Sequence, residues 1–119
     1  MAHDEPMSTC LFCAIAAGDI PATLVAENDT VVAFADIDPQ APTHVLVIPR
    51  RHVPTVAELC ALDPDALVAM TTMATEVAEA AGLSNGYRMV INTGDDGGQT
   101  VSHVHTHVLG GRPMQWPPG

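Results

Sequence analysis

Three of the six histidines lie at alternate positions in the segment His103-Val104-His105-Thr106-His107. Alternate side chains of an extended strand lie on one face, so this spacing predicts a strand over His103–Leu109 with three imidazole rings in a row. The faces of structural sheets are usually filled by β-branched or aromatic side chains, which makes surface or core histidines the less favoured interpretation. The segment therefore predicts a functional site on a strand.

Capping and turn residues divide the rest of the chain into two helices and four more strands. An apolar run over Cys10–Ala17 that stops at Gly18 predicts a short helix with a left-handed cap. Asp63-Pro64-Asp65 begins a longer helix, whose apolar residues recur three or four apart until Gly82. The further strands are predicted at Leu24–Glu27, Thr30–Ala35, His44–Pro49 and Tyr87–Asn92. Two helices and five short strands joined by hairpins predict an α+β domain.

The length and apolar content fit one globular domain. With 119 residues, 47% of them hydrophobic, the chain is assigned a single domain over 9–119 behind a disordered N-terminus at 1–8. No uncharged run approaches the roughly 20 apolar residues that span a bilayer, so no membrane partner is expected. The first five residues, Met1-Ala2-His3-Asp4-Glu5, are acidic where a secretory signal would be basic. A cytoplasmic location is therefore predicted.

The charge balance excludes one class of partner. Fourteen acidic residues face four arginines and no lysine, which gives a net charge of −10. Binding to a nucleic acid polymer needs a basic patch that four arginines do not supply, so no nucleic acid partner is expected. A small phosphate ester remains compatible with this charge, because backbone N–H groups and imidazoles bind one without net positive charge.

Two kinds of chemistry fit the row of histidines. A catalytic zinc can be held by three histidines, but neighbours on one straight strand converge poorly on a single ion. Alternatively, one imidazole acts as a nucleophile, and repulsion between adjacent imidazolium ions keeps at least one ring neutral near pH 7. The preceding Gly97-Gly98-Gln99-Thr100 favours the second interpretation, because glycines let backbone donors approach a phosphate closely.

Two of the three cysteines have the spacing of half a zinc site. Cys10-Leu11-Phe12-Cys13 is a C-x-x-C sequence, which fits zinc, two small buried thiols on a helix or, less well without a βαβ context, a redox pair. The third, Cys60, is interpreted as filler. An odd number of cysteines argues against a disulfide framework.

The motif around the histidines resembles the histidine-triad (HIT) family. His-x-His-x-His stands between Gln99-Thr100 and Gly110-Gly111-Arg112, as in that family. The similarity is strongest to its Hint branch, the purine nucleoside phosphoramidate hydrolases. The segments that resemble this branch are Ala41–His44, Val47–Pro49, Arg88–Val90, Gly97–Gln99 and Trp116–Gly119.

The resemblance implies a fold and a reaction. The fold is a five-stranded antiparallel sheet with two helices, and two copies form a homodimer with a continuous ten-stranded sheet. The reaction is hydrolysis of the P–N bond of purine nucleoside 5′-phosphoramidates through a nucleotidyl-histidine, with AMP or GMP as product and no cofactor needed for catalysis. Two alternatives stay open: a dinucleoside polyphosphate hydrolase of the same family, which the Trp116–Gly119 terminus disfavours, and a nucleotide-binding or scaffold protein with little turnover.

The resemblance also assigns catalytic roles. His105 would attack the α-phosphorus, while His107 and the backbone around Gly98–Thr100 would hold the phosphate oxygens. The Thr100 hydroxyl would pass a proton to the leaving amine. His103 would help to set the triad, and His44 would fix ring orientation from behind it.

Further residues match the family's nucleotide and metal contacts. Asp36 matches the position that binds both ribose hydroxyls, and Trp116 would reach across the dimer toward the partner's site. The other implied nucleotide contacts are Asn92, Gln99 and the apolar Phe12, Ile15, Ile20, Phe34 and Ile37, which would wall the purine or belong to the core. The implied ligands of a structural zinc are Cys10, Cys13, His52 and His103, with His44 as the substitute for either histidine.

Thr106 and Ser102 stand where the family usually has apolar or aromatic residues. Neither departure removes a reacting group, so the expected consequence is limited to local packing.

Overall fold

The structure, a computed structural model, describes residues 7–119. The five strands are β1 Leu24–Glu27, β2 Val31–Ala35, β3 Thr43–Pro49, β4 Tyr87–Val90 and β5 Thr106–Gly110. They form one antiparallel sheet in the order β1-β2-β3-β5-β4. This confirms the predicted α+β class and five-stranded antiparallel sheet.

Three α-helices accompany the sheet: α1 Leu11–Ala17, α2 Val56–Leu62 and α3 Pro64–Ala80. The predicted caps of two of them are confirmed, because Gly18 ends α1 with φ 80° and the Asp63 carboxylate accepts the N–H of Ala66 at the start of α3. None of the helices within residues 7–119 has the length and apolarity to cross a bilayer.

The prediction of only two helices is wrong, because α2 was missed. Thr55 caps this seven-residue helix by accepting the N–H of Glu58 at 3.3 Å, and its hydroxyl donates to the Glu58 carboxylate at 3.2 Å. Threonine followed three residues later by glutamate is a sequence signal for a helix start. Leu59, completely buried, attaches α2 to the core together with the partly buried Val56.

The predicted strand over His103–Leu109 is also wrong at its start, since β5 begins at Thr106 and contains only His107 of the three histidines. Its neighbour β3 ends at Pro49, which has no N–H to donate. The Pro49 carbonyl instead accepts from the His103 ring at 2.7 Å, and the N–H of Val104 donates to Val53 outside the sheet. The three imidazoles therefore do not form one row.

Alternation along β2 and β3 divides the core between the two faces of the sheet. Side chains on one face pack against α3, with Val31, Ala33, Val45 and Val47 meeting Met70, Met73, Ala74 and Val77. The opposite face packs against α1, with Val32, Phe34, Leu46 and Ile48 meeting Cys10 and Phe12. The site lies on this second face, where one short helix covers the sheet.

The N-terminal prediction falls mostly outside this description. Residues 1–6 of the predicted disordered segment 1–8 lie outside the described residues, and Met7–Thr9 form a single 3₁₀ turn.

Candidate functional site

A cavity of about 380 Å³ opens beside the histidines on the α1 face of the sheet. The structure brings nine of the predicted residues to its lining: Phe12, Ile15, Ile20, Phe34, Asp36, Ile37, Thr100, His105 and His107. Six further lining residues were missed: Leu11, Pro21, Ala22, Ala35, Leu46 and Val101. All six are apolar, so their sequence pattern does not distinguish a cavity wall from ordinary core.

One hydrogen bond fixes the tautomer of His105. Its Nδ1 lies 2.8 Å from the carbonyl oxygen of His103. A carbonyl only accepts, so Nδ1 carries the proton and Nε2 keeps a free lone pair. Burial lowers the pKa of His105, against the opposing influence of the His103 carbonyl and the Asp36 charge. The ring is therefore neutral near pH 7 and available as a nucleophile or base.

A second chain of hydrogen bonds sets the tautomer of His107. The backbone N–H of Gln40 donates to His44 Nδ1 at 3.0 Å, so the proton of a neutral His44 resides on Nε2. His44 Nε2 lies 2.9 Å from His107 Nδ1, to which it donates. The remaining nitrogen of His107, Nε2, thus carries a proton and is a hydrogen-bond donor.

Electrostatics keep His107 uncharged as well. Burial lowers its pKa from 6.5 to about 4, together with the repulsion that His105 and His44 would exert in their protonated forms, and Asp36 opposes this shift. Asp36 lies 3.4 Å from His44 Nε2, and its other oxygen accepts the N–H of Asp38 at 2.8 Å. The cavity therefore presents one imidazole lone pair, one imidazole N–H and one carboxylate side by side.

The rings of His105 and His107 meet edge to face with centroids 5.0 Å apart, whereas the ring of His103 is directed at the sulfurs of Cys10 and Cys13. Three rings that diverge in this way do not converge on a single ion. A catalytic metal held by His103, His105 and His107 therefore has no geometric basis here.

The glycine-rich loop before the histidines is held by internal bonds. Gln99 is almost fully buried; its side chain donates to the carbonyls of Pro54 and Val101 at 2.7 and 2.9 Å and accepts from the N–H of Gly94. The N–H groups of Gly98 and Gln99 donate to the carbonyls of Asp95 and Gly94, each at 3.0 Å. The buried side chain of Gln99 therefore holds the loop in position through its hydrogen bonds to Gly94, Pro54 and Val101.

Asn92 and Thr100 are two more predicted nucleotide contacts, and both lie next to or within this loop. Asn92 donates to the Gly97 carbonyl at 2.6 Å, and a Cβ at position 97 would overlap the carbonyl oxygen of Thr93, so glycine is required there. Of the loop residues, Thr100 is the predicted contact that lines the cavity.

Trp116 is a predicted nucleotide contact that lies outside the cavity lining. Its side chain is 82% exposed and does not line the cavity of its own chain. The backbone beside it is held by Arg88, which donates to the Gln115 carbonyl at 2.7 Å.

A second cluster contains both cysteines of the C-x-x-C pair. Cys10, Cys13, His52 and His103 each offer a ligand atom, and these four atoms lie within 4.8 Å of one another. His103 Nδ1 is 3.5 Å from each sulfur, and His52 Nδ1 is 3.3 Å from that of Cys13. Tetrahedral bonds of about 2.3 Å to sulfur and 2.0 Å to nitrogen separate such ligands by about 3.5 Å, so the spacing fits zinc.

The protonation of His103 supports the same fit. Its Nε2 donates to the Pro49 carbonyl at 2.7 Å, which leaves the lone pair on Nδ1, directed at the two sulfurs. Zinc-bound histidines typically donate their other ring N–H to a backbone carbonyl in this way. His52 Nε2, by contrast, is buried without a hydrogen-bond partner among the described residues. His44, the expected substitute ligand, lies in the other group with Asp36 and His107.

Comparison with known proteins places these features in a family context. The model of the HIT domain family matches residues 17–114. A purine nucleoside phosphoramidase of Escherichia coli K12 is 47% identical over 105 residues, which cover 87% of this chain and 88% of that protein. An uncharacterised HIT-like protein of Synechocystis is 45% identical over 109 residues, or 92% and 96% of the two chains.

Solved structures of histidine-triad proteins have the same fold as this chain. A HIT family hydrolase from Legionella pneumophila matches with a TM-score of 0.90 and 50% identity, over 93% of this chain and all of that chain. A zinc-bound histidine triad family protein from Mycobacterium smegmatis matches with a TM-score of 0.80 and 34% identity, over 90% of this chain and 78% of that one.

Proposed function

The chain belongs to the histidine-triad (HIT) family, and from this premise we propose that it hydrolyses the P–N bond of purine nucleoside 5′-phosphoramidates. The observation that carries the proposal is the tautomer of His105. Because Nδ1–H donates to the His103 carbonyl, Nε2 carries a free lone pair. Nε2 is therefore the nucleophilic atom of a neutral, buried imidazole beside the cavity.

The reaction proceeds in two displacements. His105 Nε2 attacks the α-phosphorus and the P–N bond breaks, which leaves a nucleotidyl group on His105 while the departing nitrogen takes a proton from the Thr100 hydroxyl. Water then attacks the same phosphorus and gives one proton back to Thr100, which restores its hydroxyl, while the N–P bond to His105 breaks and the nucleoside monophosphate leaves. The net reaction consumes one phosphoramidate and one water and yields one amine and AMP or GMP. A covalent intermediate replaces one difficult step by two easier ones.

His107 stabilises charge on the phosphate oxygens. Its Nε2–H is a donor because Nδ1 accepts from His44, and its lowered pKa keeps this arrangement at neutral pH. A donor oriented before the reaction stabilises developing negative charge without reorganisation. His44 acts through His107 and is a positioning residue.

The nucleoside is held by one carboxylate and apolar walls. Asp36 accepts hydrogen bonds from both ribose hydroxyls, and the purine lies among Phe12, Ile15, Ile20, Phe34 and Ile37. Ile37 is fully exposed in the free protein, so a bound base would remove its side chain from water. Asn92, Gly98 and Gln99 contribute by shaping the loop that presents Thr100.

The Cys10, Cys13, His52 and His103 cluster holds a structural zinc in this proposal. When bound, the ion supplies a covalent crosslink between α1 and the segment before β5, and catalysis needs no cofactor. The support is the donor set, its near-tetrahedral spacing and the zinc-bound relative.

A homodimer completes the proposal. The strand β4 is an edge of the sheet, and Tyr87 and Met89 on it are exposed apolar side chains that a second copy would cover. Edge-to-edge pairing gives a ten-stranded sheet and directs the exposed Trp116 toward the partner's cavity. The cytoplasmic location stays a prediction.

An assay of two substrates tests the function against its alternatives. The purified protein is incubated with adenosine 5′-phosphoramidate and, separately, with diadenosine tetraphosphate. We expect release of AMP and ammonia from the first with the higher kcat/KM. Preferential cleavage of the tetraphosphate would indicate a dinucleoside polyphosphate hydrolase, and AMP binding without turnover of either would indicate a binding module.

A further inference from the structure

The Cys/His cluster and the nucleophile are in physical contact through two links. We propose that Phe12 is a positioning residue which, together with the His103 carbonyl, couples metal binding at the cluster to the orientation of the His105 ring. The kinetic consequence rests on the proposed function, whereas the orientation itself does not.

The first link runs through the main chain. The His103 side chain joins the cluster through Nδ1 and is anchored to Pro49 through Nε2, while the carbonyl of the same residue accepts the Nδ1–H of His105. The adjacent N–H of Val104 donates to Val53 at 2.8 Å, which fixes the peptide between the two histidines. A shift of His103 would therefore displace the acceptor that sets the tautomer of His105.

The second link is aromatic. Phe12 lies between the two cysteines in sequence, and its ring centroid is 5.0 Å from that of His105 and 6.0 Å from that of His103. Both contacts are edge-to-face, with interplanar angles of 88° and 70°, and a similar contact to Phe34 at 5.5 Å fixes the other side. Such aromatic contacts depend on ring orientation as well as on area. Rotation of the Phe12 ring would therefore change its contact with the His105 ring directly.

The helix that carries Phe12 depends on the cluster for its own order. A seven-residue helix is too short to be stable alone, and Phe12 is the buried residue of α1. The N-cap of this helix is the thiol of Cys10, which accepts the N–H of Cys13 at 3.4 Å. The other end is tied by Arg50, which donates to the Ala16 carbonyl at 2.9 Å. Loss of the ligands' common ion would thus release the N-terminal end of α1, next to Phe12.

This coupling differs from a stabilising role alone. If the cluster only stabilises the fold, removal of the metal lowers the unfolding temperature and leaves the His105 ring unchanged in the folded protein. If the coupling exists, the ring changes while the protein is still folded.

The experiment compares the full-length protein loaded with zinc and freed of metal by chelation, at a temperature where circular dichroism shows both to be folded. The ¹⁵N shifts of the His105 imidazole report which ring nitrogen carries the proton. We expect a single Nδ1–H form in the zinc-loaded protein and a mixture of tautomers in the metal-free one. Cys10→Ser should reproduce the metal-free spectrum, and Cys60→Ser, at an exposed site on α2, should match the wild type.

A second variant identifies Phe12 as the link. Phe12→Leu keeps an apolar side chain beside the cysteines, so zinc content should stay at one per chain, but the His105 spectrum should then respond less to metal removal. At saturating substrate, the rate of nucleotidyl transfer should fall about tenfold in metal-free wild type, and by less in metal-free Phe12→Leu relative to its own loaded form.

Identical His105 spectra with and without zinc would overturn the coupling. A Phe12→Leu protein that responds to metal as strongly as the wild type would remove Phe12 from it. Should the spectra change as expected while the loaded protein cleaves no phosphoramidate, the proposed function fails and the coupling stands.

Discussion

The two histidine clusters use the same short segment of chain for opposite purposes. His103 is completely buried, and its lone pair faces two thiols, whereas His105 and His107 face a cavity with one lone pair and one N–H. In each case a backbone carbonyl or a neighbouring imidazole decides which nitrogen carries the proton. Identical side chains two residues apart thus acquire different chemistry from their hydrogen-bond partners.

The cavity cluster consists of His105 and His107 with His44 behind them. Substitutions in this cluster and in the Cys/His cluster should therefore impair different properties of the protein. A substitution in the cavity cluster removes a reacting or orienting group and leaves all four ligands of the Cys/His cluster in place. A substitution in the Cys/His cluster removes a ligand that joins α1 to the rest of the protein. Substitutions in the cavity cluster should act mainly on catalysis, and substitutions in the Cys/His cluster should act mainly on stability.

Replacing the nucleophile should have the largest effect. His105→Asn should lower kcat by about 10⁴-fold or more, because it removes the attacking lone pair, while the Kd for AMP changes little. Rapid-quench kinetics and calorimetric titration with AMP measure the two quantities. Retained turnover would remove His105 as the nucleophile.

Loss of a ligand in the Cys/His cluster should act on stability. At a free zinc concentration a thousandfold above Kd, Cys13→Ser should cost about 4 kcal/mol and lower Tm by about 15 °C, since bound metal stabilises only the folded chain. Calorimetry with measured zinc content checks this. The matched variant Cys60→Ser should keep both zinc and Tm, and an equal loss in both variants would contradict the account.

Removing the orienting group behind the cavity should have an intermediate effect. His44→Ala leaves His107 Nδ1 without its donor, so the N–H directed to phosphate is no longer fixed. We expect kcat to fall by about 10- to 100-fold with little change in Tm. His44→Gln offers an amide donor and should restore part of the loss; a large fall in Tm with unchanged kcat would show a structural role only.

The pH dependence should reflect the lowered pKa values of His105 and His107. Activity requires both rings neutral, so the acid limb of kcat/KM should lie below pH 6.5, the ordinary pKa of an imidazole. Between pH 6.5 and about 4, the unfolded chain binds more protons than the folded one, because the pKa of His107 is lowered only in the folded state. The free energy of unfolding should therefore decline as the pH falls through this interval. An acid limb centred at 6.5 would contradict the lowered pKa values of His105 and His107.

The smallest predicted change is a gain. The hydroxyl of Thr106 is buried without a hydrogen-bond partner among the described residues, on the α3 side of β5. Thr106→Val should therefore raise the free energy of unfolding by about 1 kcal/mol in urea denaturation. Thr71→Val is the control, because its hydroxyl is exposed and bonded to Leu67, and it should bring no gain.

Local sequence patterns were sufficient for much of the fold. The caps Gly18 and Asp63 and the β-branched run of β3 act on their own neighbours, so they could be interpreted without the rest of the chain. The bend before β5 could not, because it depends on bonds from His103 and Val104 to Pro49 and Val53, about fifty residues away. The short helix α2 had a usable signal, the threonine–glutamate pair at its start, that was overlooked.

The candidate site divides in the same way. Alternation of histidines and a C-x-x-C pair are visible in sequence and indicated the chemistry. The direction of each ring is not visible, since it follows from which carbonyl or thiol meets each nitrogen in the folded state. The buried role of Gln99, bonded to Pro54, was hidden for the same reason.

Trapping the covalent intermediate would show whether His105 is the nucleophile. The protein is mixed with excess adenosine 5′-phosphoramidate, denatured within the first turnover and mapped by peptide mass spectrometry. We expect one adenylyl group per active chain, attached to His105 and absent from His105→Asn. An adenylyl group on His107, or rapid turnover with no adduct at any time, would contradict it.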